Sequence, residues 1–290
     1  MRFLAIILSL SAAVALAFGA QFQNDSVSKH DRAAGEKTKL GFRQVLSLLK
    51  KPKWISGMSL LVLGGMLQIT AISLAPLIVV QPLGGIALVI TAMLNARATK
   101  TRITKPAWFA MSLSTIGIGT FVVAASFVAA EVKLDDGNLL QILSVLGVLV
   151  AVFGVLFFTL GTKFKALAFI LGAGILYGFV ASLIKAIVQR VIQQDFSLLT
   201  FVCLLVCVVA LLLGGWFVQN AYASGPPDLV IAGLTVIDPI VAVSVGVVIL
   251  GEAKNADFLT LCTFVATGLI AVVGVWLLSK VHPELSDEKS

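Results

Sequence analysis

Apolar residues run through this chain in long unbroken blocks rather than in alternation with polar ones. Nine stretches of roughly 20 residues carry almost no charge: 3–22, 54–72, 77–94, 107–129, 139–160, 166–188, 197–220, 229–250 and 258–278. A hydrocarbon layer about 30 Å thick is crossed by about 20 helical residues. Continuous blocks argue for helices over barrel strands, whose residues alternate, because each backbone polar group in lipid must be paired within its own segment. The pattern predicts an all-α polytopic membrane protein with about nine transmembrane helices.

Composition sharpens the class. Of 290 residues 59% are apolar and only 12% charged, with a mean hydropathy of +1.06, whereas a soluble domain is about a quarter charged. Soluble enzymes, nucleic-acid readers and disulfide scaffolds are excluded. Cys203, Cys207 and Cys262 all lie in apolar blocks and have no framework spacing, so disulfides are not expected. The net charge of +7 reads as an orientation signal. Eight Lys/Arg fall between residues 23 and 53, four in Arg97, Lys100, Arg102 and Lys105, two in Lys163 and Lys165, and two in the tail at Lys280 and Lys289. All 16 lie on one side of an alternating topology, leaving five of the 21 on the other. The richer side is the cytoplasm by the positive-inside rule. The expected protein sits in the cell membrane, with its amino terminus outside and its carboxyl terminus inside.

Residues 1–20 also have the outline of a secretory signal ending Ala17-Phe18-Gly19-Ala20. Cleavage there would invert every later span and put the Arg97–Lys105 cluster outside, so an uncleaved outside-in helix is the preferred reading. In the basic loop after this span, residues 40–49 mix apolar positions with Arg43 and suit either an interfacial helix or a solvated linker.

Internal similarity appears at an offset of 157 residues: Gln81-Pro82 matches Asp238-Pro239, Asn95 matches Glu252, and Gly117 matches Gly274. The two Pro-bearing spans are the third and the eighth, so they cross in opposite directions. Opposed repeats with Pro-interrupted helices are an architecture of secondary transporters. The expected organisation is four plus five: residues 1–130 with four helices and a basic cytoplasmic loop at 23–53, residues 139–279 with five helices, and a cytoplasmic tail at 280–290.

Two stretches carry a family resemblance. Ile237-Asp238-Pro239 through Leu250-Gly251-Glu252 resembles the Pro-started, Gly-Glu-ended fourth helix of a half in the drug/metabolite transporter (DMT/EamA) superfamily. The run Ala75-Pro76-Leu77-Ile78-Val79-Val80-Gln81-Pro82-Leu83-Gly84-Gly85, with Trp54-Ile55-Ser56-Gly57 before it, is similar to the magnesium-transporter-like (NIPA-like) branch, which also has nine spans. That branch's acidic residue in the second span is absent, with Gly65-Met66 in its neighbourhood, and the third span ends in Leu94-Asn95 rather than Gly-Glu. The resemblance implies a secondary transporter of a small solute or cation working by alternating access; its alternative is a magnesium or divalent-cation transporter.

Asp238 is the most informative residue. A carboxylate deep in a span costs about 2.5–3.5 kcal/mol on insertion scales. At about 1.5 Å per residue it lies about 13 Å from the end of its span near residue 229. Pro239 beside it removes a backbone donor, so a break that opens polar backbone toward a cavity is expected there. Asp238 either holds a cation or proton, or satisfies backbone freed by the proline. Gln81 is its repeat partner, and Gln68, Gln219 and Asn220 are further amides; Asp238, Gln81, Gln68 and Asn220 are the candidate substrate-binding set, with Pro82 and Pro239 as helix breaks. No metal site can be assigned. Glu252 is expected at the outer boundary with a solvated carboxylate, in a capping or gating place, and Lys185 and Arg190 at the outer end of the sixth span, with stems reaching the headgroups.

Other apparent motifs fail on context. Gly172-Ala173-Gly174-Ile175-Leu176-Tyr177-Gly178 has no strand before it and the wrong final spacing for a dinucleotide loop, so Gly174 and Gly178 read as helix-packing positions. Cys203 and Cys207 read as small core residues. His30 and His282 lie outside the spans and Asp238 has no second intramembrane carboxylate, so no enzyme, no cofactor and no nucleic-acid partner is expected. The partners are a small solute or cation, membrane lipid and a possible homodimer mate. A non-transporting scaffold is the remaining class, and it leaves the Asp/Gln-Pro pattern unexplained.

Overall fold

The computed structural model describes residues 1–34, 51–159 and 165–281, all helix and short connections. The expected interfacial segment 40–49, Lys163, His282 and the tail beyond 281 lie outside the described residues. Nine helices among them are long and apolar enough to cross a membrane, making this a multi-pass membrane protein. The spanning elements are α1 Arg2–Ala34, α2 Pro52–Leu74, the composite α3, α4 Lys105–Val128, α5 Asp136–Thr159, α6 Lys165–Ile192, α7 Leu198–Ser224, α8 Pro227–Val248 and α9 Phe258–Val281. Large apolar side chains such as Phe127, Leu212, Val265 and Phe258 cover the outside of the bundle, as a surface solvated by acyl chains requires.

The apolar blocks locate the helices, but their ends run on. Helix α1 continues past its apolar stretch to Ala34, α6 to Ile192 and α7 to Ser224. Once nucleated, a helix propagates at one hydrogen bond per added residue, so it can outrun the apolar stretch that starts it.

The expected break at Pro239 does not occur. Helix α8 continues through Pro239, and the interruption falls in its counterpart. α3 is a helical turn Leu77–Val80, a 3₁₀ segment Gln81–Gly85 and an α-helix Ile86–Thr99. The difference lies in the residues after each proline. Pro82 precedes Gly84-Gly85, which hold no side chain against a neighbour. Pro239 precedes Ile240-Val241, and Val241 packs on Gly178 of α6, which keeps the helix in register.

Small residues set the closest approaches, as in membrane bundles generally. α1 lies along α2, with Gly19 and Gly57 facing each other's carbonyls. Gly174 and Gly178 of α6 receive Ile237 and Val241 of α8, the packing role expected of them. Cys203 and Cys207 are buried in the core that α7 shares with α6. Helices α4 and α9 cross most tightly: a Cβ on Gly117 would lie 2.5 Å from the Ala271 nitrogen, and one on Gly274 2.3 Å from the Ser114 nitrogen. An uncrowded helical glycine gains about 1 kcal/mol on replacement by alanine. Gly274→Ala should instead lose about 1–3 kcal/mol through overpacking; thermal unfolding in detergent reads this as a lowered Tm, and an unchanged or raised Tm contradicts the crossing.

Candidate functional site

Asp238 lies on the side of α8 that meets α6. Its backbone nitrogen and oxygen face Gly174 and Gly178, and Tyr177, between those glycines, is close enough to feel its charge. The Oδ1 atom is buried and accepts no hydrogen bond among the described residues. That oxygen is therefore not spent on backbone freed by Pro239, which the continuous helix leaves little need for.

Two cavities lie beside it. One, of about 430 Å³, lies between the 3₁₀ segment of α3 and helices α4, α8 and α9, walled by Pro82, Phe264, Thr235 and Pro239 and open at the outer surface of the bundle past Val248 and Val265. A second of about 330 Å³, toward the opposite end of the bundle from Glu252, lies between α1, α3, α8 and α9 and is bordered by Leu16, Thr91, Thr235 and Ser279. Thr235 borders both. Asp238 lines neither: helical residues advance about 100° each, so Pro239 and Thr235 face the cavities while Asp238, between them in sequence, faces α6. The carboxyl stands one residue behind the wall rather than in it. The wall itself is apolar, and its hydroxyls are committed, Thr235 donating to Ile231 O at 2.8 Å, Ser244 to Ile240 O at 2.7 Å and Thr91 to Ala87 O at 2.8 Å. Such back-bonded hydroxyls retain only acceptor capacity.

The amides are not gathered around Asp238. Gln68 of α2 accepts from Ser9 of α1 at 3.1 Å, and Ser9 also reaches Val80 O at 3.3 Å, beside the buried Gln81. Ser9, absent from the expected set, thus links Gln68 of α2 to the Val80 carbonyl of α3, and Gln81 is buried one residue further along the chain. Asn220 is apart from both, donating to Trp216 O of its own helix at 2.8 Å. No group of three or more His, Cys, Asp or Glu side chains suited to a metal ion occurs among the described residues.

The strongest polar geometry is elsewhere, and it corrects two expectations. Glu252 is 2% exposed, not solvated: its carboxylate accepts from Leu77 N at 2.9 Å and Ile78 N at 3.0 Å, capping the first turn of α3. Lys185 is 3% exposed and spent inside the bundle: its Nζ donates to Ile72 O at 3.1 Å and Ala75 O at 2.6 Å, at the carboxyl end of α2. Arg190 is also buried, bonding Asp136 at 2.7 Å and Asp195. Helix α6 extends to Ile192, which brings Arg190 within the helix; Lys185, already inside the expected span, is turned to the end of α2 rather than outward. Gly251, at φ 66°, takes the left-handed turn that glycine allows and brings Glu252 back under α3. Ala130 N donates to Glu252 O at 2.7 Å, tying the end of α4 to the same turn. Burial pushes the Glu252 carboxyl above the usual carboxylate range, opposed by the Lys185 charge and by the two α3 amides.

Gly246 leaves the room this carboxylate occupies: a Cβ there would stand 2.6 Å from Glu252 Oε2. Gly246→Ala should displace the cap and lower stability by about 1–3 kcal/mol, the cost of unsatisfied buried groups. A lowered Tm in detergent supports the cap, and a Tm equal to the parent's contradicts it.

No family model and no solved structure matches the chain. A protein of Corynebacterium glutamicum, described only as uncharacterized, is 30% identical to it over 256 residues, covering 86% of this chain and 85% of the relative. With identity at that level across nearly the whole of both chains, this nine-span protein belongs to the same family as that Corynebacterium relative.

Proposed function

We propose that the chain is a secondary transporter of the drug/metabolite kind, moving a small solute or cation across the cell membrane by alternating access of two inverted halves. The observation that carries this reading is Asp238: a carboxyl oxygen buried in mid-span without a hydrogen bond, one residue behind two cavities that meet at Thr235. Such a group is costly to keep and suits a site that takes up and gives back a proton or cation as the halves move.

The inverted repeat has two supports. Helix α3 begins at the end of the bundle where α8 finishes, since Leu77 bonds Glu252 just beyond α8, so the two Pro-bearing spans run oppositely. The 157-residue offset also recurs in space: Gly117 meets Ala271, three residues before Gly274, and Gly274 meets Ser114, three before Gly117. Each half thereby presents the same position to the other, as a two-fold axis between α4 and α9 would arrange. With the basic cluster Arg97–Lys105 at the far end from Glu252, the positive-inside rule puts Glu252 and the amino terminus outside. The uncharged, donor-poor cavity wall favours an organic solute, with Asp238 as the coupling group, over a hydrated divalent ion that needs six or more oxygen ligands.

Growth of a deletion strain across metal salts and toxic organic cations identifies the solute, and flux into proteoliposomes then measures its movement. Asp238→Asn should bring a saturable flux down to the protein-free background with membrane abundance unchanged. Undiminished flux in that variant contradicts the proposal, and saturable flux of no solute at all favours a scaffold.

A further inference from the structure

We propose that Lys185 and Glu252 are the gate residues at one end of the bundle: together they hold the α2–α3 hairpin shut against the second half, and their release opens that end. The inference rests on the transporter reading and goes beyond it, since neither residue lines either of the two cavities beside Asp238.

Both side chains belong to the second half, Lys185 on α6 and Glu252 in the α8–α9 connection, and both bond backbone of the first half. They do so on either side of one point. Helix α2 ends at Leu74 and α3 begins at Leu77, so the Ala75-Pro76 link leaves carbonyls unpaired on one flank and amides unpaired on the other. A helix carries about half a negative charge at its carboxyl end and half a positive charge at its amino end. The ammonium of Lys185 meets the first and the carboxylate of Glu252 meets the second. Among the described residues neither side chain forms an ion pair; the helix ends, not each other, are their direct partners.

Two further features mark this contact as a latch rather than a static weld. Apolar packing would hold two helices together without the expense of burying two charges, whereas bonds to helix ends can be surrendered to water when the end opens. The carboxylate also has an uncharged counterpart in the repeat. At the 157-residue offset Glu252 corresponds to Asn95, which is uncharged and lies near the end of α3 at the opposite face. The cavity bordered by Thr91 and Ser279 lies toward that opposite face, away from Lys185 and Glu252.

Sidedness provides the test, since a merely structural cap would not alter it. Thr235→Cys is placed in full-length protein lacking Cys203, Cys207 and Cys262 and reconstituted in proteoliposomes, and a membrane-impermeant maleimide is added from the face carrying Glu252. Labelling should be slow in the parent and several-fold faster in both Glu252→Gln and Lys185→Met. Lys185→Arg should keep the slow rate. The exchange Lys185→Glu with Glu252→Lys should label as fast as the single variants, because each charge then meets the wrong helix end. Unchanged labelling in monodisperse single variants overturns the gate, as does slow labelling restored by the exchange. If neither Glu252→Gln nor Lys185→Met yields folded protein, the pair is a structural brace and the proposal falls. Labelling needs no solute, so its outcome stands apart from the Asp238 flux result: loss of the gate leaves the transporter reading in place, and absence of flux leaves the latch measurable.

Discussion

A helix that stops inside a membrane bundle leaves backbone groups that no water can satisfy, and the organisation of this protein depends on how that demand is met at Ala75-Pro76. The chain turns back there in two residues, entirely within packed protein. Glu252 and Lys185 supply what the turn lacks, and to do so each must arrive from the other half of the molecule. One short link thus draws together α6, the turn at Gly251 and the α8–α9 connection, and places two charged side chains at that contact.

The interior shows a division of labour along α8. One side carries Ile237, Asp238 and Val241 onto the glycines of α6; the adjoining side carries Thr235, Pro239 and Ser244 to the cavities. A carboxyl placed directly in the wall would be wetted by whatever fills the cavity. Set one residue back, it sits in the packed face between α6 and α8, both of the second half, away from whatever fills the cavities. Pro82 and its glycines make the opposing helix the deformable one, since the 3₁₀ segment has already given up regular hydrogen bonding.

Much of the architecture was legible from pattern alone, because span length and charge-free runs are set by the bilayer and not by tertiary detail. The packing roles of Gly174 and Gly178 came from spacing. Whether a proline breaks its helix was not legible at the proline: Pro82 and Pro239 differ through the residues after them, Gly84-Gly85 against Ile240-Val241. The direction of Asp238 required knowing that α6, and not a cavity, lies on that side of α8. Lys185 lies inside its apolar block, and its partners depend on α2 ending beside it; Glu252 was concealed by a turn whose fold depends on Gly251. Asn220 looked equivalent to Gln68 in composition, yet its donor is spent on its own helix.

Alternating access requires the two ends of the bundle to open in turn. Spin labels in proteoliposomes measure this by pulsed electron resonance, with one pair at Thr70 and Lys254 across the Glu252 end and a separate pair at Lys100 and Lys280 across the other. Rocking halves should give two distance populations at each end, shifting in opposite senses between the parent and Asp238→Asn. A single unchanging distance at both ends, or ends that widen together, would contradict the mechanism.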